Sequence, residues 1–217
     1  MPLYVLALTD ADLGTWTARD RPMARDRRLL SVDYGGIHVV YERRATAPPV
    51  TDEELRAQHA MVIAIAERAP AVLPARFGSL MQKRELASSI RRHEVEILSA
   101  LQRVRNHVQM TVRVLGKRPK RSAAPASPNM SGREYLEHAR RAATPPTTPE
   151  AERLLAAVGR LVATERREHG AGRLLATIYH LVEARHVERY RKAAGAPVPG
   201  VIVSGPWPPF AFSPPLW

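Results

Sequence analysis

The chain contains no cysteine, so it cannot form disulfide bonds or use thiol or thiolate-metal chemistry. No stretch of its 217 residues approaches the ~20 apolar residues that a membrane-spanning helix needs. The N-terminal residues lack the basic region and long apolar run of a signal peptide. We therefore expect a cytoplasmic protein that does not insert into membranes and that folds around an ordinary hydrophobic core.

The patterns that carry catalysis are also missing. The sequence has neither a Gly-x-Ser-x-Gly elbow nor a glycine-rich phosphate loop with lysine. The 8 histidines are scattered, and His180, Glu183 and His186 do not have the spacing of a zinc site on one helix. We expect no enzyme activity, no catalytic residues, no cofactor and no metal site.

Acidic residues are outnumbered, because 33 Lys and Arg against 21 Asp and Glu give a net charge of +12. Such a balance favours anionic partners, although GC-rich coding also produces an arginine-rich composition. An RNA-recognition module needs aromatic side chains on its central strands, and here the candidate strands contain only Tyr179. We expect no specific nucleic-acid partner, and a basic nucleic-acid-binding protein stays an alternative. The basic runs lie at 25–28, 43–44, 91–92 and 117–121.

Periodicity in the first half predicts strands followed by helices. The pattern indicates strands at 3–9, 28–32 and 37–42, of which the last two are joined by a glycine turn at 33–36. Thr51 and Glu54 form a capping box that opens a helix to about Arg68. The apolar stripe predicted for this helix is Leu55, His59, Val62, Ile63 and Ala66. A second, long helix is predicted at 82–107 and a strand at 110–115.

The second half predicts a smaller α+β domain. Residues 117–130 have the basic, then Ser-, Ala- and Pro-rich composition of a linker. Elements are then expected in the order helix 132–143, helix 149–168, strand 174–182, helix 184–194 and strand 198–203. We therefore predict two α+β lobes: an N-terminal domain at 1–116, a ferredoxin-like domain at 131–204, and a Pro- and aromatic-rich tail at 205–217.

Aromatic residues are few, and a third of them lie in this tail. The chain has 3 Trp, 6 Tyr and 3 Phe, and the tail holds Trp207, Phe210, Phe212 and Trp217. Its five prolines stiffen the backbone and favour an extended conformation. A stiff apolar strip loses little entropy on docking, so we expect the tail to dock on its own domain, on a partner, or on both.

Two strings in the sequence resemble one known family. Gly205-Pro206-Trp207-Pro208-Pro209-Phe210 is similar to the C-terminal Gly-Pro-Trp-Pro-Pro-Tyr-x-Phe signature of the gas vesicle accessory proteins GvpL and GvpF. The segment 72–80, Val-Leu-Pro-Ala-Arg-Phe-Gly-Ser-Leu, resembles the family's Val-Leu-Pro-x-Arg-Phe-Gly-Thr-x-Phe. Weaker similarity covers residues 3–9, His59 and 132–136. Phe210 stands where the family usually has Tyr, which removes a hydroxyl.

The resemblance implies an accessory or minor structural protein of gas vesicle formation. Its implied partners are the hydrophobic main shell protein and other gas vesicle accessory proteins, and its implied fold is an α+β domain followed by a modified ferredoxin-like domain. A scaffold of another complex stays an alternative. The residues carried over as signature or partner-binding positions are Pro74, Arg76, Phe77, Gly78, Gly205, Pro206, Trp207, Pro208, Pro209, Phe210 and Trp217.

Each signature has a structural and a functional interpretation. In the turn after Pro74, Phe77 is expected to anchor the turn and Gly78 to supply an unusual backbone angle, while Arg76 bonds to protein groups or faces an acidic partner. In the tail, Trp207 and Phe210 either seal the fold or form a hot spot for a partner. Residues 213–217 are expected to remain available.

Overall fold

The computed structural model describes residues 1–17, 27–117 and 145–215. It divides into two compact units, Met1–Gln109 with Pro206–Trp217, and Met110–Gly205. The predicted linker is described only at Lys117, and the helix predicted at 132–143 lies outside the described residues. The domain boundaries proposed from composition therefore stay predictions.

The first unit is built on one antiparallel sheet. Its strands run in the spatial order β2-β3-β4-β1-β5, and β6 pairs with β1. All seven residues of β1 are buried, as expected for a central strand that has neighbours on both sides. The strands are β1 Leu3–Thr9, β2 Trp16–Thr17, β3 Arg28–Asp33, β4 His38–Arg43, β5 Val72–Pro74 and β6 Leu80–Met81.

The predicted hairpin between β3 and β4 is present. Gly35 and Gly36 both have positive φ, at 68° and 89°, which glycine adopts without a steric penalty. The Asp33 carboxylate accepts a hydrogen bond of 2.8 Å from the Gly36 amide, and the Tyr34 amide donates to the Ile37 carbonyl at 2.9 Å. Local turn chemistry therefore sets the β3–β4 register.

Helix α1, Asp52–Ala66, packs against β1 and β5. The Thr51 hydroxyl accepts from the Glu54 amide as predicted. Of the stripe predicted to be buried, only Val62 is buried; His59, Ile63 and Ala66 are half-buried. The prediction was wrong at Leu55, which is 40% exposed. Val50 and Leu55 occupy the two positions of a hydrophobic staple at the helix start, which explains an apolar residue there without core burial. The buried side chains of α1 are Ala57, Gln58, Met61, Val62, Ala64 and Ile65.

The predicted single helix at 82–107 is two helices, α2 Lys83–Arg92 and α3 Glu94–Val104. They meet at His93, whose φ of −112° and ψ of 17° interrupt the helix. The last turn of α2 is basic and the first turn of α3 is acidic. The basic residues lie at the negative end of the α2 dipole, and the acidic residues lie at the positive end of the α3 dipole. Both helix ends are therefore stabilised where they are, which favours a break at His93.

A four-stranded sheet, mainly in the second unit, has the order β10-β7-β9-β8. Helices α4 and α5 pack against each other, and a core that includes Met110, Val112, Ile178 and Tyr190 is buried. Thr148 caps α4 and Pro149 occupies its first turn, as predicted. The elements are β7 His107–Leu115, α4 Pro149–Val158, β8 Val162–His169, β9 Leu174–Glu183, α5 Val187–Ala194 and β10 Val201–Trp207, with short 3-10 helices at 159–161, 184–186 and 210–212.

The helix predicted at 149–168 was wrong beyond Val158, because Val162–His169 forms β8 instead. β8 pairs antiparallel with β9 along its whole length, from Val162 opposite Val182 to His169 opposite Ala176. The Glu- and Arg-rich sequence of β8 favours helix locally, and strand pairing overrides that preference. With two sheets and packed helices the chain has the predicted α+β fold.

Candidate functional site

The first signature, residues 72–80, forms β5, a tight turn and the start of β6. Pro74 ends β5 and is buried. Gly78 has φ of 87°, a conformation that side chains rarely adopt. The Ser79 hydroxyl donates to the Arg76 carbonyl at 2.7 Å and closes the turn. The backbone of this signature turn is therefore held in one conformation.

Two buried polar side chains, Tyr4 and Gln58, form hydrogen bonds to the backbone of the signature turn. The Tyr4 hydroxyl donates to Gln58 Oε1 and accepts from the Gly78 amide at 3.3 Å. Gln58 Nε2 donates to the Ala75 carbonyl at 3.3 Å. Burial raises the pKa of Tyr4, which keeps its hydroxyl a donor. The sequence signal for this network is a glutamine on the buried face of α1, which the predicted stripe omitted.

The turn presents Arg76 to solvent. Arg76 is exposed, and no hydrogen bond or ion pair joins its guanidinium to another described residue. The expected bond from Arg76 to a helix end or carboxylate is thus not seen among the described residues. Phe77 is half-buried rather than fully buried.

The second signature leaves β10 and packs within the first unit. Pro208 and Pro209 are buried, Trp207 is half-buried and Pro206 is exposed. The 3-10 helix Phe210–Phe212 packs against β5. Its Ala211 amide donates to Gln109 Oε1 at 2.8 Å. In the second unit, Gly205 has φ of 121° and its carbonyl accepts from Arg191 at 3.1 Å.

The imidazole of His59, on α1, contacts both aromatic rings of this signature. Its imidazole lies edge-on to Trp207, with ring centroids 5.4 Å apart, and is stacked on Phe210 at 5.5 Å with an interplanar angle of 18°. Burial lowers the pKa of His59. The ring is therefore neutral at neutral pH and takes part as an aromatic surface.

The structure brings the two signatures into one unit, where β5 and the 3-10 helix of the tail are in contact. Phe210 remains 36% exposed. Ser213 and Pro214 are half-buried and Pro215 is exposed, while Trp217 lies outside the described residues. The two signatures thus expose the Phe210 ring and the Arg76 guanidinium in the same unit. We call the exposed residues of the two signatures the signature surface, and aromatic and arginine side chains suit protein recognition.

A separate buried chain of polar groups lies in the second unit. His180, 1% exposed, contacts Tyr190 Oη of α5 through Nδ1 at 2.7 Å and Glu165 Oε2 of β8 through Nε2 at 3.0 Å. Burial lowers the pKa of His180 and raises that of Tyr190. Burial opposes ionisation of Glu165, but hydrogen bonds from Arg167 and His180 outweigh it and lower its pKa. These hydrogen bonds join β8, β9 and α5, so the buried polar groups have a structural role.

The described ranges contain neither a metal-ligand group nor a membrane-spanning helix. Within 1–17, 27–117 and 145–215, no group of three or more His, Cys, Asp or Glu could hold a metal ion. His180, Glu183 and His186 do not form such a group. No helix in the same ranges is long and apolar enough to cross a membrane.

Two solved structures share this fold. The crystal structure of gas vesicle protein GvpF from Microcystis aeruginosa matches with a TM-score of 0.69 and 10% identity, over 97% of this chain and 98% of that chain. The GvpF structure from Anabaena sp. PCC7120 matches with a TM-score of 0.66 and 10% identity, over 98% of both chains. No curated protein sequence matches the chain.

Membership of a family rests on the sequence itself. The family profile described as gas vesicle synthesis protein GvpL/GvpF matches residues 2–214. This match includes the signature turn and the tail up to Pro214, which confirms the resemblance seen in the two strings. The chain belongs to the GvpL/GvpF family of gas vesicle synthesis proteins.

Proposed function

We propose that this protein is a non-catalytic accessory or minor structural protein of gas vesicle formation, which acts in the cytoplasm and at the gas vesicle. In this proposal it binds the hydrophobic main shell protein during assembly, together with other accessory proteins. The observation that carries the proposal is the contact between the two family signatures within one unit.

The main shell protein is hydrophobic, and an exposed aromatic ring is a suitable contact for such a partner. A subunit that hides an apolar face only by polymerising exposes that face and its strand edges beforehand, and both promote aggregation. The docked tail offers a matching apolar contact. Because Trp207, Pro208 and Pro209 are already packed, Phe210 is held in place before binding, and little further entropy is lost when a partner covers it.

The ionisable groups of the signature surface suit recognition rather than catalysis. His59 is engaged by two rings, and Arg76 is exposed. Neither arrangement resembles a nucleophile paired with a general base. Within this proposal Arg76 binds an acidic group of the partner beside the apolar contact.

We assign the second unit, Met110–Gly205, to a modified ferredoxin-like domain, and this assignment adds most of β7 to the domain predicted at 131–204. Its described elements follow the order strand, helix, strand, strand, helix, strand, which is the order of that fold. In the proposed architecture this domain and the N-terminal domain are two lobes, and residues 205–217 are a Pro- and aromatic-rich tail that carries the second signature.

Capture of the main shell protein tests the proposed function. Tagged wild-type protein, co-expressed with the shell protein, is expected to retain it in a pull-down and to keep it soluble. Phe210→Ser is expected to reduce capture about tenfold, which corresponds to about 1.4 kcal/mol of binding free energy. Val95→Ser is the matched control, because Val95 is 83% exposed on α3 and lies outside both signatures.

Two results would contradict the proposal. If intact wild-type protein never retains the shell protein, the named partner is wrong, and a scaffold of another complex becomes the better hypothesis. If Phe210→Ser and Val95→Ser both capture it as well as wild type does, the signature surface is not the binding surface. Thermal unfolding of each variant separates lost binding from lost folding.

A further inference from the structure

Four arginines lie at one end of the β3–β4 hairpin, and two of them are already neutralised. Arg27 Nη2 donates to both oxygens of the Glu54 carboxylate, at 2.9 and 3.1 Å. Arg44 Nε donates to Glu42 Oε2 at 2.9 Å, and its terminal nitrogen lies 3.6 Å from Glu54. Both carboxylates are thus committed to Arg27 and Arg44.

The other two arginines, Arg28 and Arg43, have no such partner. Both are exposed, and neither forms an ion pair with a described residue. Leu30 is opposite Tyr41 in the antiparallel register, and extending this register by two residues places Arg28 opposite Arg43. Like charges at directly opposite positions destabilise a strand pair, and an anion placed between them removes that repulsion.

These side chains border a cavity of about 490 Å³. Its lining consists of Arg27, Arg28, Leu30, Glu42, Arg43 and Arg44, and we call it the arginine cleft. The cleft combines two unpaired guanidiniums with one apolar residue, and a second pair of arginines keeps its walls in position. A guanidinium binds a carboxylate through two parallel hydrogen bonds.

We propose that the arginine cleft binds an extended acidic segment of a partner protein, whose carboxylates pair with Arg28 and Arg43. In an extended segment, side chains two residues apart point the same way at a spacing of roughly 6.6 Å. Two such carboxylates reach two neighbouring guanidiniums. None of these residues belongs to either signature, so the inference does not rest on the proposed function.

Charge and lining favour a peptide over nucleic acid. Single-stranded nucleic acid binds where bases stack on aromatic side chains, and the described residues of the cleft lining include none. Among the described lining residues only Arg28 and Arg43 are unpaired cations. Two separated carboxylates match them better than a continuous row of phosphates does.

Fluorescence anisotropy with a defined peptide tests the proposal. The probe is fluorescein-labelled Thr-Glu-Val-Glu-Val-Glu-Thr, and the same peptide with Gln for Glu is the neutral control. A single-stranded oligonucleotide of matched length and inorganic phosphate serve as competitors at physiological ionic strength. Wild-type protein is expected to bind the acidic peptide at least about tenfold more tightly than the Gln peptide, since charged bidentate contacts are lost in the latter.

Matched variants locate the binding. Arg28→Gln/Arg43→Gln is expected to weaken peptide binding at least about tenfold, whereas Arg160→Gln/Arg189→Gln is expected to bind as wild type. The control removes the same charge from two exposed arginines of the second unit. If the first variant fails to fold in a thermal melt, Arg28→Lys/Arg43→Lys replaces it, and weaker binding is again expected because lysine lacks the planar fork.

Three outcomes would overturn the proposal. One is equal affinity of wild type for the acidic and neutral peptides. Another is equal loss of affinity in both arginine variants, which would mean that only net charge matters. The third is an oligonucleotide that outcompetes the peptide and depends on Arg28 and Arg43, which would assign the cleft to nucleic acid.

Discussion

The imidazole of His59 is stacked on the ring of Phe210, with centroids 5.5 Å apart and an interplanar angle of 18°. One residue lies on the first helix of the chain and the other in its C-terminal tail, and both belong to the first unit. Because His59 also meets Trp207, a single side chain of α1 orders both rings of the signature. The tail is therefore part of the folded unit.

Trp207→Ala is expected to lower the free energy of unfolding by about 3 kcal/mol. Truncation of a large core aromatic costs about 3–5 kcal/mol, and Trp207 is half-buried, which places it at the low end. Deletion of residues 213–217 is expected to change stability by less than about 0.5 kcal/mol, since it lies past the ring contacts. Urea unfolding measures both changes, and a Trp207→Ala protein as stable as wild type would contradict the docking.

Tyr4→Phe is expected to cost about 1–3 kcal/mol, because it leaves the buried Gln58 carbonyl and the Gly78 amide without the Tyr4 hydroxyl. Tyr41→Phe is the control, since no hydrogen bond joins its hydroxyl to another described residue, and we expect a change within about 0.5 kcal/mol. Equal effects of the two substitutions in urea unfolding would show that the network under the signature turn contributes nothing.

Gly78→Ala is expected to destabilise the protein by about 1–2 kcal/mol, the cost of a side chain at positive φ. A Cβ at Gly78 would meet nothing within 4 Å, so the cost is conformational. Gly159→Ala is the opposite case: φ is −52°, a Cβ has room, and a gain of about 0.4–1 kcal/mol is expected. If thermal melts show that both substitutions shift the melting temperature in the same direction, the backbone conformation of the two glycines does not explain their effects.

The free energy of unfolding is expected to fall as pH decreases from about 6.5 to about 5. Burial lowers the folded-state pKa of both His59 and His180, so the unfolded chain, with a pKa of about 6.5, binds these protons more tightly. Well above pH 6.5 both histidines are neutral in the folded and the unfolded state, so the free energy of unfolding is not expected to change with their titration. His59→Phe keeps an aromatic ring and removes one titration, so its stability should fall less over this range than that of wild type.

Limited trypsin digestion is expected to cut first at residues 117–121, where the sequence is basic and has linker composition. Because trypsin cuts after Lys or Arg, the N-terminal fragments should end at Lys117, Lys120 or Arg121, and mass spectrometry identifies them. First cleavage within α2 or α3 would instead place the domain boundary elsewhere.

Local chemistry was readable from the sequence wherever a residue type has one strong preference. The Asp33–Gly36 turn, the Thr51 and Thr148 caps and the positive φ of Gly78 all appear as predicted. In each case a backbone angle or an unpaired amide is satisfied within a few residues. The break at His93 also had a local signal, since only His93 separates basic Arg92 from acidic Glu94, but continuous apolar spacing concealed it.

Tertiary pairing decided the rest. Val162–His169 is rich in helix-forming Glu and Arg, yet it becomes a strand because β9 offers it a complete antiparallel ladder. Distant contacts likewise brought the signature turn to Tyr4 and Gln58, and the tail to His59, across separations that no local pattern encodes. The sequence alone determined the family and the turns. Only burial and pairing between distant segments decided how two signatures more than a hundred residues apart form one surface.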